Sequence, residues 1–314
     1  MGLEIFKHRT RSGAVGRWLL PPPRPVSRPP ARMDVPAGTD GGRGGAGAPP
    51  PPGPCPPAPP GEPLEARDGA GGLARLAGAC RRFVLHPRSY FVAWGGVLTL
   101  AFGGVPEQLG ELKGALEEAL PGLPKENFGS KWPKASLGCL RDGRTLTRDE
   151  LGALDRLCTE LSKEFGCQPP GPELPVDRLE LVLFACRSLE KRLTTTTLWL
   201  GEDLAWPQRC DTSVTDEVLA ERLADGYWDG VARAGNREAH YREAAWGATL
   251  VAPVGWGVGL ESGDQNHSRE EALGSAALEL AVRTLRLKVD ELLPGAYVWF
   301  SAESLHVTVR GLFG

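Results

Sequence analysis

The residues of this chain best suited to chemistry form two short polar triplets, Lys134-Ala135-Ser136 and His306-Val307-Thr308. The second lies in the segment ESLHVTVRGLFG. Strand side chains alternate at a period of two, so His306, Thr308 and Arg310 are expected along one face, with Val307 and Val309 packed behind them. An imidazole titrates near neutral pH and can give or take a proton. Hydroxyls beside it can hydrogen-bond an anion, and a guanidinium can neutralise one. The same alternation also describes an ordinary half-exposed strand, because Thr and Val are good strand formers whatever they face.

The elements around the triplets repeat. Two uncharged runs, AWGGVLTLAFGGV from Ala93 and AWGATLVAPVGWGV from Ala245, share a pattern. The first precedes PEQLGELKGALEEAL, in which Leu109, Leu112, Leu116 and Leu120 recur at helical spacing, and then KWPKASLGCL. The second precedes SREEALGSAALELAVRTLRLKVDELL, where Leu273, Ala277, Leu280, Leu285 and Leu287 supply the expected apolar side, and then the His306 segment. Each half thus reads strand, helix, strand, with a triplet on its last strand; the alternatives are a duplication and a chance likeness of two Gly/Trp-containing strands. Between the halves the spacing predicts a helix in TRDELGALDRLCTELSKEF, strands in DRLELVLFA and TTTTLWLG, and a helix from Thr215 to about Gly235 with Leu219, Leu223 and Trp228 inward. Thr147 with Glu150 and Ser268 with Glu271 have capping-box spacing. Such layering of helices over mainly antiparallel strands is α+β.

Composition divides the chain. Between Pro21 and Gly72, 17 residues are Pro and 11 are Gly, too little apolar surface to offset the entropy of ordering. Residues 33–72 are therefore expected to be a disordered linker and 73–314 the folded domain. Residues 1–32 carry seven Lys or Arg against the single acid Glu4, either an organelle transit peptide or a translated upstream region ahead of Met33. A plastid or mitochondrial location follows from the first reading and a cytoplasmic one from the second. A formal charge of −3 gives no global pull toward nucleic acid, so an anion site must be local. Seven cysteines without a C-x-x-C pair disfavour a disulfide framework and a metal cluster. The stretches Ser89–Pro106 and Ala244–Leu260 approach membrane-spanning length, but their glycines and turn-forming ends suit buried strands; no membrane association is expected.

Two strand-helix-strand halves, each ending in a His-x-Thr/Ser-type triplet, resemble the 2H phosphoesterase superfamily, which includes RNA 2',3'-cyclic phosphodiesterases. ESLHVTVRGLFG looks like its motif strand, and TTLWLG resembles the strand between its two motifs. The region from about residue 80 to 314, through NFGSKWPKASLGCLRDG and the terminal strand, is also similar to plant RNA ligase/cyclic nucleotide phosphodiesterase-like proteins. The resemblance implies a two-lobed fold with mainly antiparallel strands and flanking helices, and hydrolysis of cyclic nucleotides or RNA 2',3'-cyclic phosphate ends. It implies no cofactor and no metal, and a monomer is expected. His306 and Thr308 match the family's catalytic positions, with Ser136 the second hydroxyl.

Lys134 departs from that pattern by standing where the other histidine belongs. A lysine at its ordinary pKa holds its proton at neutral pH, binding an anion well but accepting a proton poorly unless burial lowers its pKa. Arg310 would extend the cationic face, and Trp132 offers either a stacking surface for a base or simple packing. His8 and His86 sit outside any suitable strand, leaving His240 and His267 as the histidines that could replace the missing imidazole through space. The readings to be weighed are a metal-independent phosphodiesterase, an RNA- or nucleotide-binding module with a degenerate first motif, and a scaffold with a vestigial cleft.

Overall fold

The computed structural model describes residues 65–126, 130–165, 171–204, 209–224, 226–231, 237–255 and 269–313. The basic leader, His8, the linker as far as residue 64, His267 and the Ser268 capping position lie outside the described residues. The first element among the described residues is α1 (Glu65–Ala79), which begins eight residues ahead of the expected start of the domain, where EARDG supplies helix-compatible residues after the proline tract. Then follow β1 (Arg81–Leu85), β2 (Pro87–Ala93), β3 (Val97–Phe102), β4 (Val105–Pro106), α2 (Glu107–Ala119), β5 (Lys134–Leu140), α3 (Arg148–Ser162), β6 (Leu174–Val176), β7 (Arg178–Phe184) and β8 (Arg192–Trp199). The remainder comprises β9 (Gly201–Leu204), β10 (Cys210–Asp211), α4 (Ser213–Glu221), α5 (Tyr227–Val231), α6 (Arg237–Arg242), β11 (Gly247–Pro253), α7 (Arg269–Leu292), β12 (Tyr297–Trp299) and β13 (His306–Phe313).

The fold is α+β, with mostly antiparallel sheets. Its main sheet has eight strands in the order β2-β3-β5-β13-β11-β7-β8, with β12 also paired to β5. That order places the two repeats back to back: β3, α2 and β5 on one side of the join, β11, α7 and β13 on the other. Register repeats as well. Ala101 and Pro253 hold the same place in the two uncharged runs, and they pair with Lys134 and His306, the same place in the two triplets. Leu100 with Ala135 and Ala252 with Val307 correspond, as do Thr99 with Ser136 and Val251 with Thr308. Even the bond beyond the strand recurs: the Phe102 amide donates to the Pro133 carbonyl at 3.1 Å, and the Val254 amide donates to Leu305 at 2.9 Å. This agreement in pairing carries the duplication beyond a likeness of composition.

One face of the sheet is fixed by burial. Leu98, Leu100, Ala135, Leu137, Val307 and Val309 are essentially inaccessible and share a core with Leu112 and Leu116 of α2, Leu154 of α3 and Leu285 and Val289 of α7. Slipping either central strand by one residue would drive Lys134 or His306 into that core, so the apolar set locks the register and with it the polar face. The capping box at Thr147 and Glu150 forms as read from sequence and starts α3.

Two helices differ from expectation. On α7 the buried stripe is Leu278, Val282, Leu285 and Val289, while Leu273, Leu280 and Leu287 are exposed, Leu280 by 66%. The helix is rich enough in Ala and Leu to carry two apolar stripes, and the sheet takes the one that includes the valines. The segment expected as a single helix from Thr215 to about Gly235 holds two, α4 and α5, with Leu223 exposed after α4 ends at Glu221. Among the described residues, no helix is long and apolar enough to cross a membrane.

Candidate active site

β5 and β13 meet antiparallel with Val307 opposite Ala135. One position to either side, the alternation therefore sets Ser136 across from His306 and Thr308 across from Lys134, all four on the face away from the core. Side chains directly opposite in such a pair have Cβ atoms about 4.5–5.5 Å apart and diagonal neighbours about 7–8 Å. His306 and Lys134 are such a diagonal, a spacing that leaves room between them for one tetrahedral anion. The four residues singled out as catalytic from sequence are thus brought together by a single strand contact.

The imidazole is oriented from the turn just ahead of its strand. His306 Nδ1 lies 2.7 Å from the carbonyl oxygen of Ser304, and since a carbonyl only accepts, Nδ1 carries the hydrogen and Nε2 presents a lone pair. Burial pushes the pKa of this half-buried ring down to about 4; the Ser304 bond works against that, and the Arg192 guanidinium adds to it. His306 is accordingly neutral at physiological pH, the form a base needs. Burial also lowers Lys134, to about 8, with the charge of Lys113 contributing. Its Nζ stands 4.4 Å from the centre of the Trp132 ring. Near neutrality the pair therefore comprises a proton acceptor and a still protonated donor.

Trp132 is 5% exposed and packs with Phe91, Ala101 and Val218 of α4, its ring 5.8 Å from that of Phe91. Packing, and a cation–π seat for Lys134, describes its place rather than an open stacking surface. Arg310 is also not on the open face. Leu250 pairs with Arg310 and the next residue, Val251, with Thr308, so Val309 is an extra residue on β13 that reverses the alternation beyond it, and Arg310 is 3% exposed. Its Nη2 donates to the Pro124 carbonyl at 2.8 Å and lies 3.3 Å from Glu117, with Glu126 at 3.9 Å from Nη1. Strict alternation from His306 to Arg310 requires an unbroken strand, and β13 is broken at Val309. His240 is exposed on α6 and meets the Tyr241 ring edge-on at 5.2 Å, and His86 is a surface residue 3.5 Å from Glu173.

The structure adds residues that carry no sequence signal. The hydroxyls of Tyr241 and Ser136 share a hydrogen bond; burial raises the pKa of Tyr241, which that bond partly offsets. Glu190, between β7 and β8, accepts from Arg242 of α6 at 2.9 and 3.1 Å and from the Ser301 amide at 3.1 Å, at the start of the turn that ends in Ser304. Burial raises the Glu190 carboxyl, but Arg242, Ser188 and Ser301 outweigh that and hold it below its ordinary range. Arg192 pairs with Glu180 at 2.6 Å and donates to the Glu303 carbonyl at 3.0 Å, bracing the same turn. These contacts join segments far apart in the chain, so only the fold reveals them. A separate cavity of about 400 Å³ lies at the β2 edge among Arg88, Ser162, Asp216 and Arg222, away from the His306 pair. Compared with family models, curated proteins and solved structures, the chain matches none.

Proposed function

We propose that this protein is a two-lobed, 2H-like phosphodiesterase that hydrolyses cyclic nucleotides or RNA 2',3'-cyclic phosphate ends without a metal. The observation that carries the reading is the pair of cross-strand couples, Ser136 with His306 and Lys134 with Thr308, on one face of a duplicated sheet. In this reading the cyclic phosphate lies over the join of β5 and β13, with Ser136 and Thr308 donating to its non-bridging oxygens. His306 Nε2 removes a proton from water as the water oxygen bonds to phosphorus. The bond from phosphorus to one ribose oxygen breaks, and the Lys134 ammonium protonates that oxygen as it leaves. Imidazolium and amine return to their starting forms by exchange with solvent.

A nucleotide-binding module without turnover is the second reading, and the depressed pKa of His306 favours it, because a base near 4 has little drive to take a proton from water. Hydrolysis of a 2',3'-cyclic mononucleotide in EDTA separates the two. Catalysis predicts a wild-type rate that falls about 10²- to 10⁴-fold in His306→Ala. Equal rates for the two proteins would end the enzyme reading.

A further inference from the structure

We infer that the face of the sheet running from β11 to β8 is a subsite for the nucleotide upstream of the bound phosphate, and that the substrate is therefore a single-stranded RNA end rather than a mononucleotide. This rests on the phosphodiesterase reading of the His306 face. Pairing continues from His306 to Pro253 on β11, and Trp199 on β8 is paired with Arg178 on β7. Glu180 pairs with Val251, which itself pairs with Thr308, so the antiparallel sense carries the His306 row through Pro253 to Arg178 and Trp199. The opposite face at this end belongs to the core, where Leu179 and Leu198 are buried with Leu73 and Ala77 of α1.

Trp199 is 57% exposed, and the Arg178 guanidinium carbon lies 5.9 Å from the centre of its ring, held from behind by Asp177 at 3.3 Å. Thr195 and Thr197, on the same face of β8, are exposed too. A large aromatic ring with a cation beside it, left open to water at the edge of a reactive face, is what a nucleobase stacks on, and such stacking tolerates any base because each has a π-face. Three strand spacings separate β13 from β8, about 14 Å. The base attached to the reacting phosphate falls short of that span, and a second nucleotide reaches it.

The test uses the full chain and RNA oligonucleotides of one to four nucleotides carrying a 3'-phosphate, with binding measured by calorimetry. Affinity should rise about 5- to 150-fold between one nucleotide and three. Most of that gain should vanish in Trp199→Ala and return in Trp199→Phe. Trp246→Ala, which removes another exposed tryptophan at the start of β11, should keep it. Equal affinity at every length, no binding at any length, or a length dependence untouched by Trp199→Ala would overturn the inference. Because binding is measured without turnover, a protein that binds as described but cleaves no cyclic phosphate refutes the catalytic reading alone.

Discussion

Lys134 and His306 are symmetry mates that the fold treats differently: each stands opposite the hydroxyl of the other's triplet, yet one is a neutral ring near its carbonyl anchor and the other an ammonium over an indole. Burial acts on both, moving His306 to about 4 and Lys134 to about 8. If His306 is the base and Lys134 the acid, activity needs the first deprotonated and the second protonated. The rate of cyclic phosphate hydrolysis should then rise with pH through about 4, hold level, and fall through about 8. Lys134→Arg keeps the charge but does not lose its proton in this range, so the falling limb should disappear along with most of the turnover. A wild-type profile flat across pH 8 would remove Lys134 from the acid role.

Holding a half-buried cation also has a stability signature. The folded-state pKa of Lys134 is depressed from its ordinary 10.5 to about 8, so between those values the unfolded chain binds more protons and stability rises with pH. Below about 8 the native state bears the full cost of the charge. Lys134→Met should therefore stabilise the protein at neutral pH by about 1–3 kcal/mol, and the advantage should shrink as pH climbs toward the unfolded value. Urea unfolding at two pH values measures it, and an advantage that grows with pH would contradict the burial argument.

What could be read in the sequence followed periodicity. The triplets, the repeated runs and the Thr147 capping box each depend on residues close in the chain, and each reappears in the fold. Arg310 misled because strand alternation holds only without a register shift, and the α7 stripe misled because several Leu and Ala positions fit a helical period equally well. Tyr241, Glu190 and Arg192 reach the site through contacts between distant segments, which no local pattern encodes.

Glu190 ties the helix carrying Tyr241 to the turn that orients His306. Glu190→Ala leaves the Arg242 guanidinium and the Ser301 amide without this carboxylate, a loss expected to cost about 1–3 kcal/mol. Glu190→Gln keeps a carbonyl for Ser301 and should recover part of it. Stabilities of the two variants by urea unfolding check this: a Gln variant no better than Ala would mean that charge on Arg242, not the bond to the turn, dominates.

Restoring symmetry is the sharpest trial of the site. His306 is held through the carbonyl two residues before it, and Trp132 occupies the corresponding place before position 134. A histidine there can make the same Nδ1–H bond to a backbone carbonyl, with Nε2 turned toward the diagonal His306. The burial that lowers Lys134 should also hold that imidazole below its ordinary pKa of about 6.5, making it a stronger acid than an ammonium at about 8. Lys134→His should therefore raise turnover at acid pH and move the falling limb from about 8 to below about 6.5. Phosphate affinity should weaken at the same time, since a fixed positive charge is lost at higher pH. Rate and affinity measured across this range on the same preparation decide it. A variant that folds and binds but turns over more slowly at every pH would show that the lysine, rather than a second imidazole, is what this cleft is built to use.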